Sequence, residues 1–331
     1  MRIAVVARAT WRIALLAVLV GVSGCATLSS VMPSVQVTTP ESRALLLHKV
    51  SFHPQTEYQC GPAALAGVLN ASGVAITPQA LAPQVYLPDR RGSLQVELAA
   101  ATRRAGRIPY PVERTPEALT AELAAGRPVL VLQNLLVRTV PRWHYAVLVG
   151  ADPDRNRFIL NSGTERALPV RASTFVRTWD WAGRWGIVAL RPGELPARVE
   201  PAAYLTAVAD FEAVAGAAAA RSAWRAGLKR WPQEPRVHLA LGNQAHGAGD
   251  LRAAVRHYRA GLARAPADPV LGNNLASVLG ELGCPAQARI ALDIAETGLP
   301  PNSRWSEQLA RTRSEIDASP AGRAGACERL R

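Results

Sequence analysis

The 331-residue chain contains no run of about 20 apolar residues, the length that a membrane-spanning helix requires. It has no glycine-rich phosphate loop, and its six histidines and four cysteines show no metal-ligand spacing, so no nucleotide, metal or other cofactor is implied. Charged residues are scarce at 19% against 49% hydrophobic, which excludes general disorder and leaves apolar surface enough for a buried core. The formal net charge is +13, and the excess is nearly all arginine scattered along helical stretches. A lysine-rich block and an aromatic-interleaved basic stripe are both missing. Nucleic-acid binding needs a basic footprint gathered on one face, so no nucleic-acid partner is expected. What remains is a solvated surface that weakly favours anionic lipid or an acidic partner.

The N-terminal residues have a distinct pattern. Arg2, Arg8 and Arg12 precede the apolar run Ile13 to Val22, and Ser23-Gly24-Cys25 follows. A positive n-region, a short apolar h-region and small terminal residues describe a secretory signal. Val22-Ser23-Gly24-Cys25 resembles the bacterial lipobox, which implies cleavage before Cys25 and a lipid on its sulfur. Ala26 at the next position, where the family reads aspartate as a retention signal, implies outer-membrane sorting with the chain facing the periplasm. The alternative is an ordinary cleaved signal with a coincidental cysteine. Removal of residues 1–24 takes three positive charges and no acid, leaving near +10. Residues 25–44, rich in Ser, Thr and Pro, read as a tether.

At roughly 150 residues per domain, the length suggests two domains. The first is expected over 45–195. Gly61 to Asn70 carries Ala64, Leu65, Val68 and Leu69 at helical spacing and stops at Gly73. A second helix is expected from Leu94 to Ala105 and a third from Thr115-Pro116 to Gly126. Four short apolar runs follow, at Pro128–Leu136, His144–Gly150, Arg157–Asn161 and Gly186–Leu190, with a turn at Asp152-Pro153-Asp154-Arg155-Asn156. Helices first and an antiparallel sheet after them make an α+β plan.

The second domain repeats every 34 residues. Ala220, Ala254 and Ala288 align, as do Trp224, Tyr258 and Leu292, then Gly227, Gly261 and Ala295, then Pro232, Pro266 and Pro300. Small residues let two antiparallel helices approach, the large one fills the groove, and proline ends the second helix. The pattern resembles the tetratricopeptide repeat, with units at 201–234, 235–268 and 269–302, which implies an all-α solenoid that binds a protein or peptide partner. Residues 303–331 are expected to form a capping helix and a loose tail. Cys284 and Cys327 lie in this region, where an oxidising periplasm permits a disulfide; two unpaired thiols are the alternative.

Cys60 is left for chemistry. It stands at the start of the expected first helix, in Gln55-Thr56-Glu57-Tyr58-Gln59-Cys60-Gly61-Pro62-Ala63-Ala64-Leu65, where the helix dipole and free N–H groups are expected to lower its pKa. Gly61 leaves room for a substrate, and Pro62 costs little in the first turn. Among the histidines, His48 and His53 lie on the approach to Cys60, and His238, His246 and His257 belong to the repeats. His144 opens Trp143-His144-Tyr145-Ala146-Val147-Leu148-Val149-Gly150, so a rigid strand would carry it. Asn161 ends the next strand and could orient the imidazole; Ser162 and Asp152 are its rivals for that role. Trp179, Trp181 and Trp185 could line a peptide groove, although packing is the commoner use of such residues.

The stretch Gln-x4-Cys-Gly-Pro-Ala-Ala-Leu followed by His-Tyr-Ala-Val-Leu-Val-Gly resembles the bacteriocin-processing cysteine peptidases, papain-like enzymes that cut leader peptides after a double glycine. The resemblance spans about Leu45 to Leu190. It implies a papain-like fold, a Cys60–His144 dyad, Asn161 in place of the family's usual aspartate, and oxyanion donors from the Gln55 side chain and the Cys60 N–H. Gln55 stands one residue nearer the cysteine than the family places it, which leaves Gln59 as a rival. The chain departs from the leader peptidases in carrying repeats where they carry an exporter and ATPase. The expected function is a membrane-anchored cysteine peptidase acting on a peptide or protein. The alternatives are a lipid-anchored scaffold with an inactive peptidase fold, or a cell-wall amidase or acyltransferase using the same dyad.

Overall fold

The computed structural model describes residues 35–54, 59–318 and 327. The signal, Cys25 and Gln55 lie outside the described residues.

Strand β1 (Leu45–Leu46) is followed by helices α1 (Cys60–Ala71) and α2 (Pro78–Val85). Strands β2 (Tyr86–Leu87) and β3 (Gly92–Ser93) pair as a small separate sheet, their connection containing Arg91 at φ 46°. Next come α3 (Gln95–Arg104), β4 (Ile108–Pro111) and α4 (Pro116–Ala124). Strands β5 (Val129–Asn134), β6 (Trp143–Asp152), β7 (Arg157–Ser162) and β8 (Glu165–Arg171) run antiparallel to one another in turn. Helix α5 (Ala172–Asp180) and strand β9 (Gly186–Leu190) complete this part. The seven-stranded sheet has the order β4-β9-β5-β6-β7-β8, with β1 against β6.

Strand alternation explains where the core sits. Tyr145, Val147 and Val149 on β6 share a face with Leu130 and Leu132 on β5, and this face packs on Ala64, Leu65, Val68 and Leu69 of α1. Every residue of α1 from Gly61 to Leu69 is buried, so the helix is apolar on all sides rather than amphipathic. Its N-terminus is thereby fixed against the sheet at the β6 end that begins with Trp143 and His144.

The sequence reading did not include the two-residue strands β1, β2 and β3, nor four longer elements: α2, β4, β8 and α5. Of these four, three contain proline. Pro83 lies inside α2, Pro109 and Pro111 lie in β4, and Pro169 lies in β8. Strands β4 and β8 are the two edges of the sheet, where a missing N–H need not break a ladder. Helix α5 is rich in Thr, Val, Phe and Trp, which read locally as strand. It forms because Phe175, Val176 and Trp179 bury on one side.

From Pro201 the described chain is helical: α6 (Pro201–Ala215), α7 (Ala217–Arg230), α8 (Pro235–Gly247), α9 (Leu251–Leu262), α10 (Pro269–Glu281), α11 (Pro285–Thr297) and α12 (Ser306–Ala318). The first helix of each pair starts in the same way. Glu200, Glu234 and Asp268, 34 residues apart, cap the backbone N–H groups of the next turn, and Pro201, Pro235 and Pro269 follow them at the first helical position. Ala220, Ala254 and Ala288 are fully buried, as are Tyr258 and Leu292. Close approach is strictest at Gly242, where a Cβ would lie 2.3 Å from the Tyr258 ring. Cys284 and Cys327 are joined by a disulfide, and the Cys327 carbonyl accepts from Gln287.

The sheet-bearing part meets the helices through polar contacts. Glu122, almost fully buried on α4, pairs with Arg127 at 2.5 Å and accepts the Ala197 N–H at 2.8 Å. Arg103 on α3 pairs with Asp210 on α6 at 2.7 Å.

Candidate active site

Cys60 is the first residue of α1, and the backbone N–H groups of Tyr145, Gly61 and Cys60 lie close enough to its sulfur to favour the thiolate. The Tyr145 contact sets the sulfur beside the residue that follows His144. Gly61 is required here: a Cβ would lie 2.3 Å from Ser93 Oγ, which is buried without a partner among the described residues. The thiol pKa differs from the sequence expectation. The helix N-terminus does supply donors that favour the thiolate, but burial outweighs them and holds the thiol above its ordinary value.

His144 is the second residue of β6, and its Nε2 lies 2.9 Å from Ser162 Oγ at the end of β7. Burial, with a smaller contribution from the Arg142 charge, lowers its pKa to about 4. The imidazole is therefore neutral at pH 7, as is the thiol. When Nε2 carries the hydrogen it donates to Ser162, which leaves Nδ1 as the proton acceptor. Cys60 and His144 line one cavity of about 920 Å³, together with Ser93, Leu132, Trp143 and Tyr145.

The contact that Asn161 was expected to make is made by Ser162 instead. Val147 pairs with Asn161 and Leu148 with Leu160, so alternation places Ser162 on the face of His144 and Asn161 on the other. Asn161 is buried, and its Oδ1 accepts the Ala167 N–H at 3.0 Å, securing the end of the β7–β8 hairpin. Asp152, at the far end of β6, accepts from Arg155. Ser162→Ala is expected to lower kcat about ten-fold through lost imidazole orientation, with little change in melting temperature. Asn161→Ala is expected to do the reverse, costing about 1 kcal/mol of stability because it removes a buried amide and leaves the half-buried Ala167 N–H without that acceptor. Thermal unfolding and turnover measured on both variants check this.

The remaining candidates disperse. Gln59 is exposed, makes no side-chain capping bond and does not line the cavity. His53 bonds Asn70, His238 faces His257, and His246 pairs with Glu281; none of these, nor His48, lines the cavity. Trp179 is fully buried against Phe175, and Trp185 packs edge-on to Tyr145. Trp181 is likewise absent from the wall, where Trp143, 54% exposed, stands instead. Arg90, Arg91, Arg142 and Ser93 also line the cavity and were not singled out from sequence. Only Arg142 had a local signal, its position two residues before His144.

Residues 47–186 match the Peptidase_C39 like family. A solved structure described as a C39-like peptidase from Bacillus anthracis aligns with 45% of this chain and 98% of its own, at 18% identity and a TM-score of 0.39. No curated protein matches the chain. The family match covers both Cys60 and His144 and supports a papain-like peptidase domain in the sheet-bearing part of the chain.

Proposed function

We propose that this chain is a cysteine peptidase that hydrolyses peptide bonds through a thioester on Cys60. The observation that carries the reading is that Cys60, at the head of α1, and His144, at the start of β6, line one cavity. His144 takes the thiol proton as Cys60 attacks the substrate carbonyl, then gives it to the leaving amine. In this reading the backbone N–H groups at the start of α1, the Cys60 N–H first, turn to the oxyanion as it forms, a contribution of about 3–4 kcal/mol per donor. Water then cleaves the thioester, with His144 as base. Ser162 is the positioning residue for His144, and Gln55 is proposed as the second oxyanion donor from sequence alone.

The same proposal places a lipid on Cys25 and the chain at the periplasmic face of an outer membrane, on the strength of the lipobox pattern. It reads residues 201–302 as three tetratricopeptide repeats that hold a protein or peptide partner. Four aligned sequence columns and three helix caps at the same spacing support this. Labelling with iodoacetamide at pH 7, followed by mass mapping, tests the catalytic part. Cys60 is expected to react, and His144→Ala to slow it at least ten-fold, because a neutral buried thiol needs the imidazole to lose its proton. Equal labelling of the two proteins, or none at Cys60, overturns the reading.

A further inference from the structure

Three arginines, Arg90, Arg91 and Arg142, line the cavity that holds Cys60 and His144, and among the described residues no aspartate or glutamate does. They come from two separate segments: Arg90 and Arg91 from the turn between β2 and β3, Arg142 from the loop between β5 and β6. Elsewhere arginines near acids are paired, as in Arg103–Asp210, Arg127–Glu122, Arg138–Asp180 and Arg313–Asp293. The Arg90 and Arg142 side chains make no ion pair or side-chain hydrogen bond with any described residue. Arg142 already acts on the chemistry, since its charge helps to lower the His144 pKa.

Arg90 and Arg142 therefore bring two positive charges to the cavity that no described residue pairs with. An anion that enters meets the Arg90 and Arg142 guanidiniums, whose fields add in the space above Cys60. Arginine presents a planar fork matched to a carboxylate, so a bidentate bond is available to an aspartate or glutamate side chain. We infer that the peptide segment cleaved here carries acidic side chains next to the scissile bond, held by Arg142 and Arg90. The inference rests on the peptidase reading and names the substrate class that this reading leaves open. Binding of this kind sets specificity and rate of capture, while the Cys60–His144 pair performs the bond cleavage.

The test uses the full mature chain and three peptidyl epoxides, identical except for Asp, Asn or Lys next to the electrophile. The rate of adduct formation at Cys60 is followed by intact mass. At low ionic strength the Asp probe is expected to react about ten-fold faster than the Asn probe and faster still than the Lys probe. The Asp-to-Asn ratio is expected to shrink at about 1 M salt, where the screening length is about 3 Å. The ratio cancels any general change in Cys60 reactivity, so it stays readable in variants. Arg142→Gln and Arg90→Gln are expected to bring it toward one, and Arg142→Glu to favour the Lys probe. Equal Asp and Asn rates in the unaltered chain overturn the inference, as does an unchanged ratio in both Arg142→Glu and Arg90→Glu. Failure of Cys60 to react with all three epoxides and with iodoacetamide is a different result. It removes the peptidase reading beneath the inference.

Discussion

Cys60→Ala, His144→Ala and the double variant are expected to lose peptide turnover to one common floor, roughly four to six orders of magnitude below the unaltered enzyme. The size follows from the resting state. Burial holds the Cys60 thiol above its ordinary pKa, so almost no thiolate exists at pH 7 without a base to take the proton. His144, pushed down to about 4, is present as the free base and can act at once. Neither group is useful without its partner, and their losses therefore do not add. A scaffold that kept the fold but not the activity would show no turnover in the unaltered chain and nothing to lose. A cell-wall amidase would show the same non-additivity with peptidoglycan as substrate and none with peptides. The three proteins should keep their melting temperatures to within a few degrees, since Cys60 is a small side chain at a cavity edge. A floor that differed between the single variants by more than about ten-fold would mean that the two residues do not act as one unit.

The proposed nucleophile and base were legible in the sequence because both announce themselves locally. Cys60 precedes Gly-Pro at a helix start, and His144 opens an apolar strand. Their sharing of one cavity is set by α1, whose small and aliphatic residues let it bury on all sides against β5 and β6. The third residue was less legible. Asn161 and Ser162 are adjacent, and which of them reaches His144 depends on a one-residue strand register that composition cannot report. The thiol pKa was misjudged for a related reason. A helix N-terminus is visible in sequence, but the burial that opposes it is made by residues from β6 and β3 that meet only in the fold. The arginine lining stayed hidden because Arg90-Arg91 and Arg142 are some fifty residues apart and each looks like an ordinary surface turn. The proline-bearing edge strands β4 and β8 were missed because proline is read as a breaker until the strand's place in the sheet is known.

The pH dependence gives the sharpest test of the electrostatics. With the His144 pKa at about 4, kcat/KM is expected to stay near its plateau at pH 5 and to fall as pH drops through about 4. The sign follows from the roles. Catalysis needs the imidazole as proton acceptor, so protonation stops it, and a lowered pKa moves that loss to lower pH. An imidazole at its ordinary value would leave roughly 3% of activity at pH 5, against roughly 90% here, a difference of about thirty-fold. On the alkaline side the raised thiol pKa predicts a plateau that reaches past pH 9. Arg142→Gln removes the smaller of the two causes and leaves burial, so the acid midpoint should rise but remain below 6.5. Ser162→Ala lowers the plateau and should leave the midpoint nearly in place, because burial rather than that hydrogen bond governs the shift. Initial rates with a neutral fluorogenic peptide between pH 3.5 and 10 check all three proteins, provided each is shown folded at the acid end. An acid midpoint at 6.5 or above in the unaltered enzyme would place His144 in water, and with it would go the neutral thiol–imidazole pair from which the mechanism starts.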